Sequence, residues 1–274
     1  MEAVIQGHSL PTHATADKAL GAAARFWFAA TLVGQWLFAY YIVAFYGGTA
    51  LHGQMAKWTK VLTAGWVSGD RLGNAAIAAH LIIAVIIMVG GPLQLVPQIR
   101  ARAPHVHRVI GRTYVLTAVV TSLAGIYMVF ARPTAGDLAQ HIGTALGGLL
   151  ILVCAAMAFS YAVKQDFARH RQWALRLFMV VSGVWFFRIG LMFWLLVNHG
   201  PVGFDPDTFR GPFLTFLSFA EYLLPLAALE AYLRAKAHGS VGVRWLSAVG
   251  LAILTLAMCV GIFGAFMAMW RPHL

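Results

Sequence analysis

The chain has 274 residues, of which 60% are hydrophobic and 11% are charged. Soluble globular domains carry about a quarter charged residues, so this composition excludes a soluble domain and indicates a chain solvated mainly by a lipid bilayer. The 20 Lys and Arg against nine Asp and Glu give a formal net charge of +11. The basic residues lie at the ends of apolar runs, where they act as topology signals rather than as a nucleic-acid surface.

Seven apolar runs, separated by segments rich in Gly, Pro and charge, occupy most of the chain. Each is long enough for a spanning helix, which needs roughly 20 residues. They predict an all-α polytopic membrane protein forming a single domain over residues 1–274, because no soluble domain fits between the runs. In chain order the runs cover residues 23–46, 73–96, 109–131, 138–163, 172–197, 213–233 and 244–269.

The connections after the second, fourth and sixth runs are rich in Lys and Arg and are expected to face the cytoplasm. This predicts a multi-pass protein of a bacterial inner membrane, with residues 1–22 as a cytoplasmic N-terminal segment and the C-terminus in the periplasm. The connection at 47–71 fits the charge rule least well and is long enough for an interfacial or re-entrant helix. The basic residues in question are Arg100, Arg102, Arg108 and Arg112, then Lys164, Arg169, Arg171 and Arg176, then Arg234, Lys236 and Arg244.

Four of the eleven histidines recur as a repeat. His80 and His141 lie near the outer ends of the second and fourth runs, whereas His107 and His170 open the third and fifth at the inner face, each followed by Arg. The intervals are similar, 107−80 = 27 and 170−141 = 29. The repeat predicts that residues 73–197 form a central four-helix bundle built from a duplicated helical hairpin. Residues 213–269 then supply two additional helices.

Such a duplication creates an outer pair, His80 with His141, and an inner pair, His107 with His170. A helical bundle can hold a haem edge-on when two facing helices each offer an imidazole and the neighbouring turn is small. The residues four positions after these histidines are all small: Ala84, Gly111, Ala145 and Ala174. The pairs therefore predict metal ligation of one or two b-type haems.

The second to fifth runs resemble the ascorbate-reducible transmembrane di-haem cytochromes b, in which four consecutive helices carry one histidine each and alternate helices share a haem. The resemblance implies His80 and His141 as ligands of an outer haem and His107 and His170 as ligands of an inner one. It also implies a membrane oxidoreductase that moves electrons between a donor and an acceptor at opposite faces. The segment from AAHLIIAV through HRVIGRTY to HRQWALRLF is also similar to a bacterial family of predicted membrane proteins of unknown function.

Several polar residues accompany the histidines. Arg108 and Arg171, with Arg112 and Arg176 one turn on, could neutralise haem propionates or bind lipid headgroups. Tyr114 lies two turns beyond His107 on the same helix face and could bind a quinone headgroup or make a helix-packing hydrogen bond.

Arg188 lies about 27 Å along its helix from His170, near the depth of the outer histidine pair. A guanidinium at that depth needs an anionic partner. The candidate partners are haem propionates, a bound quinone or substrate, and Glu221.

Two other classes of function stay open. In a haem-free transporter or permease, His80, His141, Arg188 and Glu221 would form a substrate or proton site. In an accessory subunit of a larger membrane complex, the histidines would be structural. The expected partners are the lipid bilayer, a quinone or redox partner, or other membrane subunits. The sequence holds no phosphate loop, nucleophile triad, carboxylate pair or thiolate zinc pattern, which disfavours hydrolytic chemistry.

Overall fold

The computed structural model describes residues 12–62, 65–131 and 136–274. Regular structure in these ranges is helical, apart from one isolated β-bridge between Asp205 and Arg210. Within these described ranges, six helices are long and apolar enough to cross a membrane, and one bent pair of helices makes a seventh span if the pair crosses as one. These spans confirm the predicted all-α polytopic fold, whereas the duplication of a helical hairpin stays a prediction.

The helices follow the apolar runs in chain order. They are α1 (His13–Tyr41), which continues through a π-helix (Ile42–Gly47) into α2 (Gly48–Leu51), then α3 (Arg71–Leu95), α4 (Pro97–Arg102), α5 (Pro104–Ala131), α6 (Leu138–Val163), α7 (Phe167–Val181), α8 (Gly183–Val197), α9 (Pro212–His238) and α10 (Val241–Ala265), which ends in a second π-helix (Phe266–Trp270). We call the end at which α3 and α6 begin the outer end, after the predicted orientation. The end at which α5 and α7 begin is the inner end.

Polar side chains fix where several of these helices begin. The first backbone N–H groups of a helix lack intrahelical partners, and a side-chain oxygen just before the helix can accept from them. Asp70, Asp137 and Asp166 do so for α3, α6 and α7. Thr12 and Ser240 do so for α1 and α10.

Three helix starts differ from the sequence-based boundaries by five residues or more. Helix α7 begins at Phe167 rather than at residue 172, so His170 lies in its first turn. The third spanning helix begins at Pro104 rather than at residue 109, so His107 lies in its first turn. Proline suits that first position because its missing N–H would be unpaired there anyway. The first helix begins at His13, so part of the predicted segment 1–22 is helical, and residues 1–11 lie outside the described residues.

The two long outer connections also contain short helices or local hydrogen bonds. The connection at 47–71 contains α2 and a short 3-10 helix, Met55–Lys60, where buried Trp58 donates a 2.8 Å hydrogen bond to Thr49. In the connection between α8 and α9, Asp205 accepts from the backbone N–H of Asp207, which holds the pKa of the Asp205 carboxyl below its usual range.

The fifth spanning segment is broken, which the sequence did not predict. Helices α7 and α8 meet at an angle of 51°, with Ser182 between them at a ψ of 0°. The amide nitrogen of buried Gln35 in α1 donates a 2.9 Å hydrogen bond to the Ser182 hydroxyl. Such a break is tolerated at membrane depth only where protein or a cavity surrounds it.

Small residues let the helices approach one another closely. Helix α1 packs on α10 and α3, α5 lies between α3 and α6, and α9 packs on α6, α7 and α8. At the contact of α10 with α8, a Cβ atom added at Gly261 would overlap the carbonyl oxygen of Ile189. Close backbone contact of this kind is the usual way that membrane helices associate.

Candidate functional site

A cavity of about 310 Å³ lies in the outer half of the bundle, between α1, α3, α5, α6, α8 and α9. Its volume is within the range of ligand and cofactor pockets, roughly 300–1,000 Å³. Most of the wall is apolar, and Gly125 of α5 leaves open space beside it. The polar groups in the wall include His80, Arg188, Glu221, Thr121, Ser122, Thr144, Tyr41, Tyr46 and Tyr222.

His80 faces this cavity from α3, on the same helix face as Ala84 and Met88. Its side chain is accessible, and no hydrogen bond joins it to another residue in the described ranges. An ionisable side chain at membrane depth is costly unless a partner or ligand compensates it. The His80 imidazole is therefore available to an occupant of the cavity.

His141 is the fourth residue of α6, near the outer end of that helix. It precedes Thr144 by three residues and Gly148 by seven, and both of those residues line the wall. Residues at these spacings share one face of a helix, so His141 is on the cavity-facing side of α6. The half-buried His141 is not itself part of the lining. The structure thus brings the two histidine-bearing helix faces to one cavity, with His80 deeper than His141.

Arg188 and Glu221 line the cavity from α8 and α9. Their charges interact across it, but the ion pairs of the described residues do not include one between them. Instead, Arg188 donates a 3.1 Å hydrogen bond to the Val184 carbonyl and lies over the Phe38 ring at 5.4 Å. The guanidinium therefore has neutral partners and remains able to bind an anion.

The break between α7 and α8 forms part of the cavity wall. Val181, Gly183 and Val184 all line it, and a Cβ atom added at Gly183 would lie 3.7 Å from a carboxylate oxygen of Glu221. Gly183 is the first residue of α8, so the Glu221 carboxyl lies at the positive end of that helix dipole. The bent span thus adds a polar element to an otherwise apolar wall.

The inner histidine pair lies away from the cavity, because neither His107 nor His170 lines it. The two are close enough for their charges to interact. The His170 Nδ1 atom is 2.9 Å from the carbonyl oxygen of Ala158. A carbonyl only accepts, so Nδ1 carries the proton and the Nε2 lone pair is left for a ligand. Metal-binding histidines commonly have this arrangement.

Tyr114 packs in a seam between α5 and α3. A Cβ atom added at Gly91 would lie 3.0 Å from the Tyr114 ring, and one added at Gly111 would lie 3.0 Å from the Gln94 side-chain oxygen. In the described part of the chain, Tyr114 Oη, Gln94 Nε2 and His107 Nδ1 are buried without hydrogen-bond partners. Tyr114 thus lies in the α3–α5 seam and does not line the outer cavity.

The inner arginines differ in their surroundings. Arg176 forms an ion pair with Glu230 at 2.7 Å and lies over the Trp173 ring at 4.9 Å. Its charge is therefore already balanced within the protein. Arg108, Arg112 and Arg171 are exposed at the inner end, where they can reach lipid headgroups; their role toward haem propionates stays a prediction.

The cavity also contains residues that sequence reasoning missed. Tyr41 and Tyr46 reach it from the end of α1 and the π-helix, and the Tyr41 hydroxyl is buried with no hydrogen-bond partner among the described residues. Trp270, in the second π-helix, packs against Tyr41 and also lines the wall. The available signal in the sequence was the pair of tyrosine hydroxyls within an apolar run. The neighbouring π-helices have no clear sequence pattern, although π-helices often occur at functional sites.

Across the described ranges, no three His, Cys, Asp or Glu side chains converge as the ligands of a metal ion would. A haem iron needs fewer protein ligands, because the porphyrin supplies the rest and one histidine on each side completes the set. A haem site of this kind therefore needs two imidazoles with enough space between them for the porphyrin.

Comparison with curated proteins and with solved structures gave no match, so the resemblance to the di-haem cytochromes b stays a prediction. A family model does match residues 77–206, which run from α3 through the connection after α8. This range contains all four paired histidines and Arg188, whereas Glu221 lies beyond it. The histidine-bearing part of the chain is thus similar to a family of predicted membrane proteins of unknown function, DUF2306.

Proposed function

We propose that the chain binds a b-type haem in the outer cavity and transfers single electrons through the membrane. The observation that carries this proposal is the His80 imidazole, which faces an apolar interior cavity without a hydrogen bond to any described residue. An occupant that binds the imidazole would compensate the cost of placing it at membrane depth.

Several residues around His80 support this proposal. His141 lies on the face of α6 that carries Thr144 and Gly148 and would supply a second histidine ligand. Gly125 lines the cavity, and an added Cβ atom there would meet only open space. Arg188 is a cation without an acidic partner within ion-pair distance, which suits a propionate group.

The haem and the residues around it would have separate roles. The bound haem would supply a one-electron redox centre. His80 and His141 would hold the iron as neutral imidazoles, and Arg188 would offset propionate charge through charge-assisted hydrogen bonds. The apolar wall would exclude water and so influence the reduction potential. The inner pair, with the His170 Nδ1 proton held by Ala158, would extend the electron path toward the other face.

A reduced-minus-oxidised visible spectrum of the detergent-purified protein, with pyridine haemochrome quantitation, tests the proposal. The wild type from haem-replete cells is expected to show sharp b-type bands. His80→Ala and His141→Ala should each lose most of the outer haem, because one axial bond is removed. His199→Ala is the matched control, since His199 lies in the outer connection away from the cavity. A colourless wild type would overturn the proposal.

A haem-free transporter is the second candidate, and a specific observation favours it. Arg188 and Glu221 face one cavity without pairing, and the broken span lies on its wall. Transporters place substrate sites at discontinuous helices of this kind. A colourless protein that carries a solute into proteoliposomes, with flux lost in Arg188→Gln, would support this candidate over the haem. Flux should be kept in the control Arg271→Gln, because Arg271 is exposed after the second π-helix and does not line the cavity.

A further inference from the structure

The wall of the outer cavity contains one basic and one acidic side chain. Arg188 is the only Lys or Arg among the described residues that line it, and Glu221 is the only Asp or Glu. Neither is ion-paired in the described part of the chain, whereas Glu230, on the same helix as Glu221, pairs with Arg176 at 2.7 Å. Two unpaired charges at membrane depth are costly unless a ligand compensates both of them.

Both charged groups reach the first turn of α8. The Arg188 Nη1 atom lies 3.1 Å from the Val184 carbonyl oxygen. A Cβ atom added at the adjacent Gly183 would lie 3.7 Å from Glu221 Oε1. The guanidinium and the carboxylate are thus neighbours that are too far apart to form an ion pair. A small molecule between them can contact both groups.

The charges of the cavity wall select one class of ligand. With His80 as a neutral imidazole, Arg188 and Glu221 together contribute no net charge. A carboxylate ion or an ammonium ion would pair with one of these side chains and leave the other uncompensated. A molecule that carries both an ammonium and a carboxylate group pairs with both side chains and adds no net charge to the site.

Two further donors in the wall suit the carboxylate of such a ligand. Tyr41 Oη and Trp185 Nε1, on residues that line the cavity, are buried with no hydrogen-bond partner among the described residues. A carboxylate has two oxygens that accept several hydrogen bonds, and an indole N–H only donates. Most of the remaining wall is apolar, including Leu81 and Met88 of α3, which suits an aliphatic or aromatic side chain.

We propose that the outer cavity binds a small zwitterion with an apolar side chain, an α-amino acid of the leucine or phenylalanine kind. Its carboxylate binds Arg188 and its ammonium group binds Glu221. An α-amino acid carries both groups on one carbon, so it can reach both side chains from the first turn of α8. This inference rests on the second candidate of the proposed function, the haem-free transporter, and names the class of its solute.

Equilibrium binding of radiolabelled L-leucine and L-phenylalanine to the detergent-purified wild type tests the site. Leucine has two analogues that each lack one charge, 4-methylpentanoate without the ammonium group and 3-methylbutylamine without the carboxylate. The matching analogues of phenylalanine are 3-phenylpropanoate and 2-phenylethylamine. The protein should bind at least one of the amino acids, and each analogue should compete about tenfold or more less well, because it leaves one protein charge unpaired.

Two substitutions separate the two ends of the ligand. Arg188→Gln and Glu221→Gln should each weaken amino-acid binding by about tenfold or more. Arg188→Gln should still bind the amine analogue at least as tightly as the wild type does, and Glu221→Gln should do so for the carboxylate analogue. The matched controls are Arg271→Gln and Asp207→Asn, since both residues are exposed and neither lines the cavity. If a variant does not accumulate, the analogue comparison on the wild type tests the proposal alone.

The inference and the transporter candidate can fail separately. A wild type that binds neither amino acid, or that binds an amino acid no better than its analogues, would overturn the inference, whereas flux of another solute would leave the transporter standing. Amino-acid binding without flux into proteoliposomes would overturn the transporter and leave the site. A wild type with haem in this cavity would overturn the inference, because the two occupants exclude each other.

Discussion

Arg188 is held inside the bundle by neutral groups, the Val184 carbonyl and the face of Phe38. A cation–π contact of this kind contributes about 2 kcal/mol when it is desolvated. That is less than the several kcal/mol that an ion loses when it leaves water. An anion that enters the cavity would therefore stabilise the Arg188 guanidinium further. Substitutions of Arg188 should for that reason affect the binding of whatever occupies the cavity.

Under the proposed function, replacing Arg188 with Gln should weaken haem binding and lower the midpoint potential of the haem. Reduction adds negative charge, so loss of a nearby positive charge disfavours the reduced form. We expect a decrease on the order of 60 mV, equivalent to a tenfold change in the equilibrium, measured by redox titration. Arg188→Lys should recover part of it. An unchanged potential in Arg188→Gln would mean that the guanidinium does not face the propionates.

The positions of most of the spanning helices could be predicted from the sequence. The apolar runs locate the spanning helices because a bilayer requires long apolar segments. Capping residues such as Asp70 and Asp137 mark where two of them begin. The break at Ser182 was not predicted, because residues 172–197 form a continuous apolar run without proline. Helices can kink at a Ser-Gly pair such as Ser182 and Gly183. The hydrogen bond from Gln35 that accompanies the break is a tertiary contact, which the sequence alone does not show.

The contact of α10 with α8 should depend on Gly261. In Gly261→Ala the added Cβ atom would overlap the Ile189 carbonyl oxygen, part of the rigid backbone of α8. We expect a destabilisation of roughly 1–3 kcal/mol, as in other overpacked interiors, seen as a lower melting temperature in detergent. Gly250→Ala is the matched control on the same helix, since its Cβ atom would meet open space. Equal melting temperatures for the two variants would contradict this packing.

At the scale of the whole molecule, the candidate site was predictable in part. Arg188 was expected near the depth of the outer histidine pair, with Glu221 among its candidate partners, and the structure places His80, Arg188 and Glu221 on one cavity. Tyr41 and Tyr46 were not expected there. Depth along a helix can be counted from the sequence, but which helices enclose a cavity depends on packing between distant segments, here α1 against α3 and α10.

The fold gathers the basic connections at one end, because alternate connections between spanning helices lie on the same side of the bundle. Lys and Arg are retained on the cytoplasmic side of a membrane, so we expect the inner end, with Lys236, to face the cytoplasm and the outer end, with His199, to face outward. Single cysteines at these two positions, in a background of Cys154→Ala and Cys259→Ala, can be probed with a membrane-impermeant maleimide. His199→Cys should label in intact spheroplasts and Lys236→Cys only after permeabilisation. The reverse pattern would place the cavity, and with it the proposed electron-transfer site, in the cytoplasmic half of the membrane.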